Sequence, residues 1–452
     1  MSVLDVLAQR LLAPLYGRRH GTYDPARIAP LGESQYLPEE RLRARQWERL
    51  TELLTFAYAN NSFYRARFEA AGCLPQDISS PERFSEFPIL SKDDIRTAGD
   101  RLVSQGCSKK DLLWKRTGGS TGVPLQLYWD ENARRFKHAL VYRHDRWAGY
   151  VPGVRRAALW GNVKPPGGLR AKLYSALCSR TVVLDTLDMS EGRLESFVGR
   201  LRSFRPEILF GHGHSIFVLA DFLKERGIED IALRGIISTA EVLPPHERAV
   251  VEEVFGQIVF DRYGCEEVSL IASECEAHDG LHIAAEGLYV EILGGDEVTP
   301  GKLVVTDLVN RGMPFIRYEI GDMATTRPGP CACGRGLPRL GRILGRTTDL
   351  LYSPEGRAIS GVSIMDTFTI HIPGLKQTQI IQDERDHLVF RVVRAPDFES
   401  GSLDALEAAV RQCFGERMRY DVEYVESIPL TERGKFRFTI CRIEAPGRRQ
   451  ER

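Results

Sequence analysis

Gln257-Ile258-Val259-Phe260-Asp261-Arg262-Tyr263-Gly264-Cys265-Glu266-Glu267 opens as a short apolar run and changes abruptly to charge, an aromatic ring and glycine. The first four residues read as a buried strand and the rest as the loop that follows it. The texture recurs upstream. Arg156-Ala157-Ala158-Leu159-Trp160, Ile208-Leu209-Phe210 and Gly235-Ile236-Ile237-Ser238 are strand-like, while residues 215–227 and 245–255 have helical spacing. Such alternation implies an α/β domain with a largely parallel sheet, whose ligands gather beyond the carboxyl ends of the strands. At such an end, Tyr263 followed by Gly264 can cover a flat base, and Glu267 can hold Mg2+ on phosphate oxygens. The glutamate pair equally suits the first turn of a helix.

Residues 1–75 read as a helical segment, with Leu50, Leu53, Leu54 and Ala57 at helical spacing until Pro75, Pro81 and Pro88 interrupt it. Residues 288–293 and 302–308 form an antiparallel-looking pair. The chain beyond Gly345 becomes a small α+β unit, with strand-like runs at 379–382, 387–393 and 422–425 and a helix over 402–413. The expected organisation is a large N-terminal α/β domain, 1–345, and a small mobile α+β domain, 346–452, with the boundary near Gly345–Thr348.

The 452 residues carry 61 Lys+Arg and 61 Asp+Glu, so the net charge is zero and gives no electrostatic reason to expect nucleic acid. No apolar run reaches the length of a membrane span, and the opening residues carry no cationic leader, so the cytoplasm is the expected location. Nine scattered cysteines read as reduced thiols.

Four further pieces carry chemistry. Thr117-Gly118-Gly119-Ser120-Thr121-Gly122-Val123-Pro124 offers bare N–H groups and hydroxyls to a polyphosphate. It lacks the Gly-Lys-Ser/Thr ending of a Walker A loop, which disfavours P-loop ATPases and kinases. Lys435, in Leu430-Thr431-Glu432-Arg433-Gly434-Lys435-Phe436, presents a positive charge on a glycine-flanked turn, where it can serve a carboxylate being activated. Asp322 follows a glycine and can accept both hydroxyls of a ribose, and Arg346 at the domain junction can reach nucleotide oxygens.

In this order the pieces resemble the adenylate-forming superfamily of acyl- and aryl-CoA ligases, above all phenylacetate–CoA ligase and its capsule-biosynthesis-associated relatives. Residues 54–65, Pro206-Glu207-Ile208-Leu209-Phe210-Gly211, Ser238-Thr239-Ala240-Glu241, Met313-Pro314-Phe315-Ile316-Arg317-Tyr318 and Cys331-Ala332-Cys333-Gly334-Arg335 extend the resemblance from about residue 50 to 442. It implies that Thr117, Gly118, Gly119, Ser120, Thr121 and Gly122 form the phosphate loop. Ala240, Glu241, Asp261, Tyr263 and Gly264 would border adenine, Glu267 would bind Mg2+, Asp322 the ribose and Arg346 the ribose or phosphates. Lys435 would be the lysine of adenylation. The implied chemistry is attack of a carboxylate on ATP to give acyl-AMP and pyrophosphate. A domain rotation and acyl transfer to the thiol of CoA then follow. The pattern departs at Leu125, Glu266 and Thr348, and residues 163–168 and 210–214 differ from the phenylacetate enzyme. Transfer to an amine, a hydroxyl or a carrier protein therefore stays open, as does a non-catalytic nucleotide-binding relative.

Cys331 and Cys333, with Cys275 and either His278 or His282, offer three thiols and an imidazole to a structural Zn2+. The resemblance favours His282. His212 and His214, near a strand end, are pocket candidates. The implied partners are a carboxylic acid, aromatic or hydrophobic, and CoA, and the exposed N-terminal helices are compatible with a homodimer.

Overall fold

The computed structural model describes residues 2–116, 125–161, 167–346, 350–360, 364, 367–368, 372–396, 398–429, 431 and 436–443. Eleven strands form one sheet, in the spatial order Leu288–Leu293, Gly301–Asp307, Tyr318–Thr326, Arg339–Arg346, Leu281–Ile283, Ser269–Ser273, Val259–Cys265, Gly235–Thr239, Ile208–His212, Arg156–Trp160 and Thr181–Asp185. The last five are parallel to one another. The others continue the sheet antiparallel. The expectation of a largely parallel sheet thus holds for one half only. The stretch expected to stand beyond it is fused to the same sheet, because Val259–Cys265 turns tightly onto Ser269–Ser273.

Within the parallel half, Thr181–Asp185 lies on one side of Arg156–Trp160 and Ile208–His212 on the other. The chain reverses its direction of travel there. That reversal opens a crevice beyond the carboxyl ends of Arg156–Trp160 and Ile208–His212, the place where open α/β sheets take ligands. All five residues of Gly235–Thr239 are buried, Ser238 and Thr239 included. The helices Glu191–Phe204, Gly213–Glu225 and Pro245–Phe255 pack Leu201, Leu219, Leu223 and Val251 against Leu209, Ile236 and Val259. Each such side chain contributes roughly 1.5–3 kcal/mol by leaving water.

The helical N-terminal segment covers the antiparallel half. Leu50, Leu53, Leu54 and Ala57 of Glu39–Asn60 are buried with Ile271, Leu303, Val305 and Ile316. The C-terminal unit has its own four-stranded sheet, ordered Arg419–Tyr424, His387–Arg394, Leu375–Glu384, Thr439–Cys441, and the helix Ser400–Phe414. Its separate core includes Phe390, Val392, Leu406, Val410 and Phe414. The expected boundary falls at the end of Arg339–Arg346, and residues 347–349 lie outside the described residues. Among the described residues no helix is long and apolar enough to cross a membrane.

Candidate active site

Asp261 to Gly264 are not a loop. They continue the strand Val259–Cys265, and Glu266 and Glu267 occupy the turn of the hairpin that follows, so there is no helix start here. Gly264 is required by this turn, since a Cβ there would lie 2.5 Å from the carbonyl oxygen of Ser269. The hairpin aims Tyr263 at the strand Tyr318–Thr326, where its hydroxyl donates to Asp322 Oδ2 at 2.6 Å. Asp322 also lies in a strand and not in a surface turn. Gly321 ahead of it has φ +94°, and Asp322 stands in register with Arg346 on the neighbouring strand.

The two glutamates separate. Glu266 is exposed and paired with Lys115 at 2.9 Å. Glu267 is buried, and its Oε1 accepts from Tyr318 Oη at 2.9 Å. Burial, then the charge of Glu267, push the Tyr318 phenol upward, so it stays a donor. Trp129 Nε1 donates to the Glu267 carbonyl at 3.1 Å, fixing the turn from below. Lys115 and Lys137 both stand over the Trp129 ring, 3.8 and 4.2 Å from its centroid. Lys137 is buried and ion-paired with Asp307, a support that sequence reasoning did not single out.

Ala240 ends the strand Gly235–Thr239 with φ +71°, a conformation that costs a non-glycine residue on the order of 1–2 kcal/mol. The turn it makes leads into Glu241, whose carboxylate accepts from His214 N at 3.2 Å and from Phe436 N at 2.9 Å. Phe436 belongs to the C-terminal unit, and its ring stacks on His214 with centroids 4.5 Å apart. His214 Nδ1 lies 2.7 Å from Glu247 Oε1. Burial opposes charge on this imidazole, but Glu247 outweighs it and the net shift is upward.

Asp261 joins a different group from Tyr263 and Asp322. Its backbone N–H donates to Glu274 at 2.9 Å, and Glu274 is held by Arg248. Burial and then the Glu274 charge push the Asp261 carboxyl up to about 7. His212 is buried against Trp160, rings 4.4 Å apart, and Trp160 stacks on Phe210 at 5.6 Å, so an aromatic group stands at the crevice. Thr117 to Pro124 and Lys435 lie outside the described residues, and for Arg346 only the backbone is described.

Cys275, His282, Cys331 and Cys333 converge, one ligand atom from each lying within 4.8 Å of the others. Cys275 Sγ is 3.7 Å from Cys331 Sγ, and Cys333 Sγ is 3.2 Å from His282 Nε2. His282 Nδ1 lies 3.0 Å from the Leu337 carbonyl. A carbonyl only accepts, so Nδ1 carries the hydrogen and Nε2 turns its lone pair toward the sulfurs. Backbone N–H groups of Ala277 and Arg335 point at Cys275 and Cys333. His278 instead lies 3.1 Å from Glu274. None of the nine cysteines is in a disulfide.

Comparison with known proteins identifies the fold and the family. Residues 351–442 match the CapK C-terminal domain. Protein CapK of Staphylococcus aureus is 23% identical, over 88% of this chain and 89% of its own length. Among solved structures, a 2-hydroxyisobutyryl-CoA ligase in the postadenylation state superposes with a TM-score of 0.71 at 21% identity, covering 90% of this chain and 91% of that one, a likeness of fold. The phenylacetate–coenzyme A ligase of Pseudomonas putida is 30% identical over 86% of both chains. With that identity sustained along nearly its whole length, the chain belongs to the phenylacetate–coenzyme A ligase family of adenylate-forming enzymes.

Proposed function

We propose that this chain activates a carboxylic acid with ATP, giving an acyl-AMP and pyrophosphate, and then passes the acyl group to the thiol of CoA. The observation that carries this reading is the bond from Phe436 N to Glu241. It fastens the residue that follows Lys435 to the end of Gly235–Thr239. The neighbouring strand, Val259–Cys265, carries Tyr263 toward Asp322 and leads into Glu267. A cation delivered there can offset charge that develops as the carboxylate oxygen attacks the α-phosphorus and pyrophosphate departs.

The remaining roles are proposals of the same kind. Glu267, with one oxygen held by Tyr318, fits an oxygen ligand for Mg2+, which would screen the phosphate charges. Asp322 would exchange its bond with Tyr263 for the two ribose hydroxyls. Thr117 to Gly122 would surround the phosphates, and Ala240, Glu241, Asp261, Tyr263, Gly264 and Arg346 would border the nucleoside. The Trp160, Phe210 and His212 rings favour an aryl or other flat hydrophobic acid in the crevice. Cys275, His282, Cys331 and Cys333 have the donor set of a closed structural Zn2+ site. Use of ATP and CoA suits a cytoplasmic location.

The test is ATP–pyrophosphate exchange over a panel of aryl, acyl and amino acids, with wild type and Lys435→Ala. Acid-dependent exchange reduced on the order of 100-fold or more in the variant is expected. Nucleotide binding with no exchange for any acid, or exchange indifferent to Lys435, would overturn the assignment. Adding CoA and following thioester formation then tests the acceptor.

A further inference from the structure

Residues from Val3 to His20 form one continuous helical run, Val3–Leu7, Ala8–Leu12 and Ala13–His20. One side of it is docked. Asp5 pairs with Arg180 at 2.6 Å, and Ala8 lies so close to Gly153 that a Cβ there would meet its carbonyl oxygen at 2.7 Å. Tyr16 stacks on Tyr174 of the helix Gly168–Tyr174, centroids 4.0 Å apart, so the two elements form one surface.

The other side is apolar and open. Leu4, Leu7, Leu11 and Leu15 recur at helical spacing and are all exposed, and Leu169 and Leu173 of the adjoining helix are exposed as well, Leu169 to 84%. A helix that simply faces water carries polar residues there. Exposed Arg10, Arg18, Arg19 and Lys172 belong to the same two elements, whose sole carboxylate is the buried Asp5. The zero net charge of the whole chain conceals this local excess of cations.

We propose that this face seats the protein on an anionic lipid bilayer. The leucines enter the boundary between headgroups and acyl chains, and the arginines and lysine meet lipid phosphates. Charge decides between this occupant and a second copy of the chain. A two-fold contact would set the same cations against one another with no exposed acid on these elements to pair them. A bilayer surface supplies both an apolar layer and negative charge. The attachment is peripheral and reversible.

Sedimentation of the full chain with phosphatidylcholine vesicles, and with phosphatidylcholine–phosphatidylglycerol vesicles at low and high salt, tests this. Binding to the anionic vesicles alone is expected, weakened about tenfold or more by salt. Leu7→Glu/Leu11→Glu and, separately, Arg18→Glu/Arg19→Glu should each lower it by a similar factor while keeping the thermal midpoint of wild type. Absence of binding to anionic vesicles at low salt overturns the proposal, as does equal binding by both variants and wild type. A dimer that the leucine variant converts to monomer, with no vesicle binding by either form, would instead make the face an interface between copies.

Discussion

The backbone N–H of Phe436 donates to the Glu241 carboxylate at 2.9 Å, across the gap between the C-terminal unit and the large sheet. Since Glu241 also accepts from His214 N, one carboxylate holds both sides of the contact. Glu241→Ala removes that acceptor. The expected result is a fall in ATP–pyrophosphate exchange of about 10- to 150-fold, from loss of a charge-assisted bond worth roughly 1.5–3 kcal/mol. Thioester formation from supplied acyl-AMP and CoA should change far less, because it does not need this docked arrangement. Glu241→Gln keeps an acceptor and should be milder. Equal loss in both half-reactions would mean that Glu241 serves the nucleotide and not the docking.

His214 makes the same contact depend on pH. Burial works against its charge, Glu247 at 2.7 Å and the nearby Glu241 favour it, and the balance raises its folded-state value above the ordinary 6.5. Gln377 Nε2, 3.3 Å from His214 Nε2, is the neutral group facing it from the C-terminal unit. A raised value means that the stabilisation is fully present below about pH 6.5 and is lost as pH rises through the folded-state value. In Glu247→Gln the burial effect remains and its main opponent is gone, so the loss of stability above about pH 6.5 should shrink or disappear. Unfolding free energies measured against pH for both proteins check this, and superimposable profiles would exclude His214 as the source.

Parts of this architecture are legible in the chain because the physics is local. Strands buried on both faces show consecutive apolar residues, as Ile236 and Ile237 do in Gly235–Thr239, and Leu50, Leu53, Leu54 and Ala57 betray their helix by spacing. Asp261 to Gly264 mislead, since polar residues inside a strand look like a loop until the partner Ser269–Ser273 is known. Asp322 is a strand residue behind a left-handed glycine, a placement that the Gly-Asp pair alone does not show. Long-range pairing was beyond reach. Nothing near Lys137 announces an ion pair with Asp307, 170 residues away. Equally, nothing near Leu281–Ile283 foretells that it will bridge Ser269–Ser273 to Arg339–Arg346 and so fuse two halves into one sheet.

The choice between His278 and His282 gives the sharpest test of the metal proposal. Both are close in sequence to Cys275, yet the strand Leu281–Ile283 pairs His282 with Arg339 and brings its Nε2 to Cys333, whereas His278 is drawn away by Glu274. Protein purified without chelator should carry one zinc per chain by elemental analysis. Cys331→Ser and His282→Ala should lose it, while His278→Ala and Cys73→Ser, which lies elsewhere, should keep it. The cluster ties the segment 331–335 to the sheet, where Arg335 also reaches Glu276 and Gln35. Loss of the metal should therefore lower the thermal midpoint, whereas a catalytic ion would first have cost turnover with little change in stability. Zinc retained in His282→Ala and lost in His278→Ala would reverse the ligand assignment, and metal-free protein of unchanged stability would reduce the cluster to three packed thiols and an imidazole.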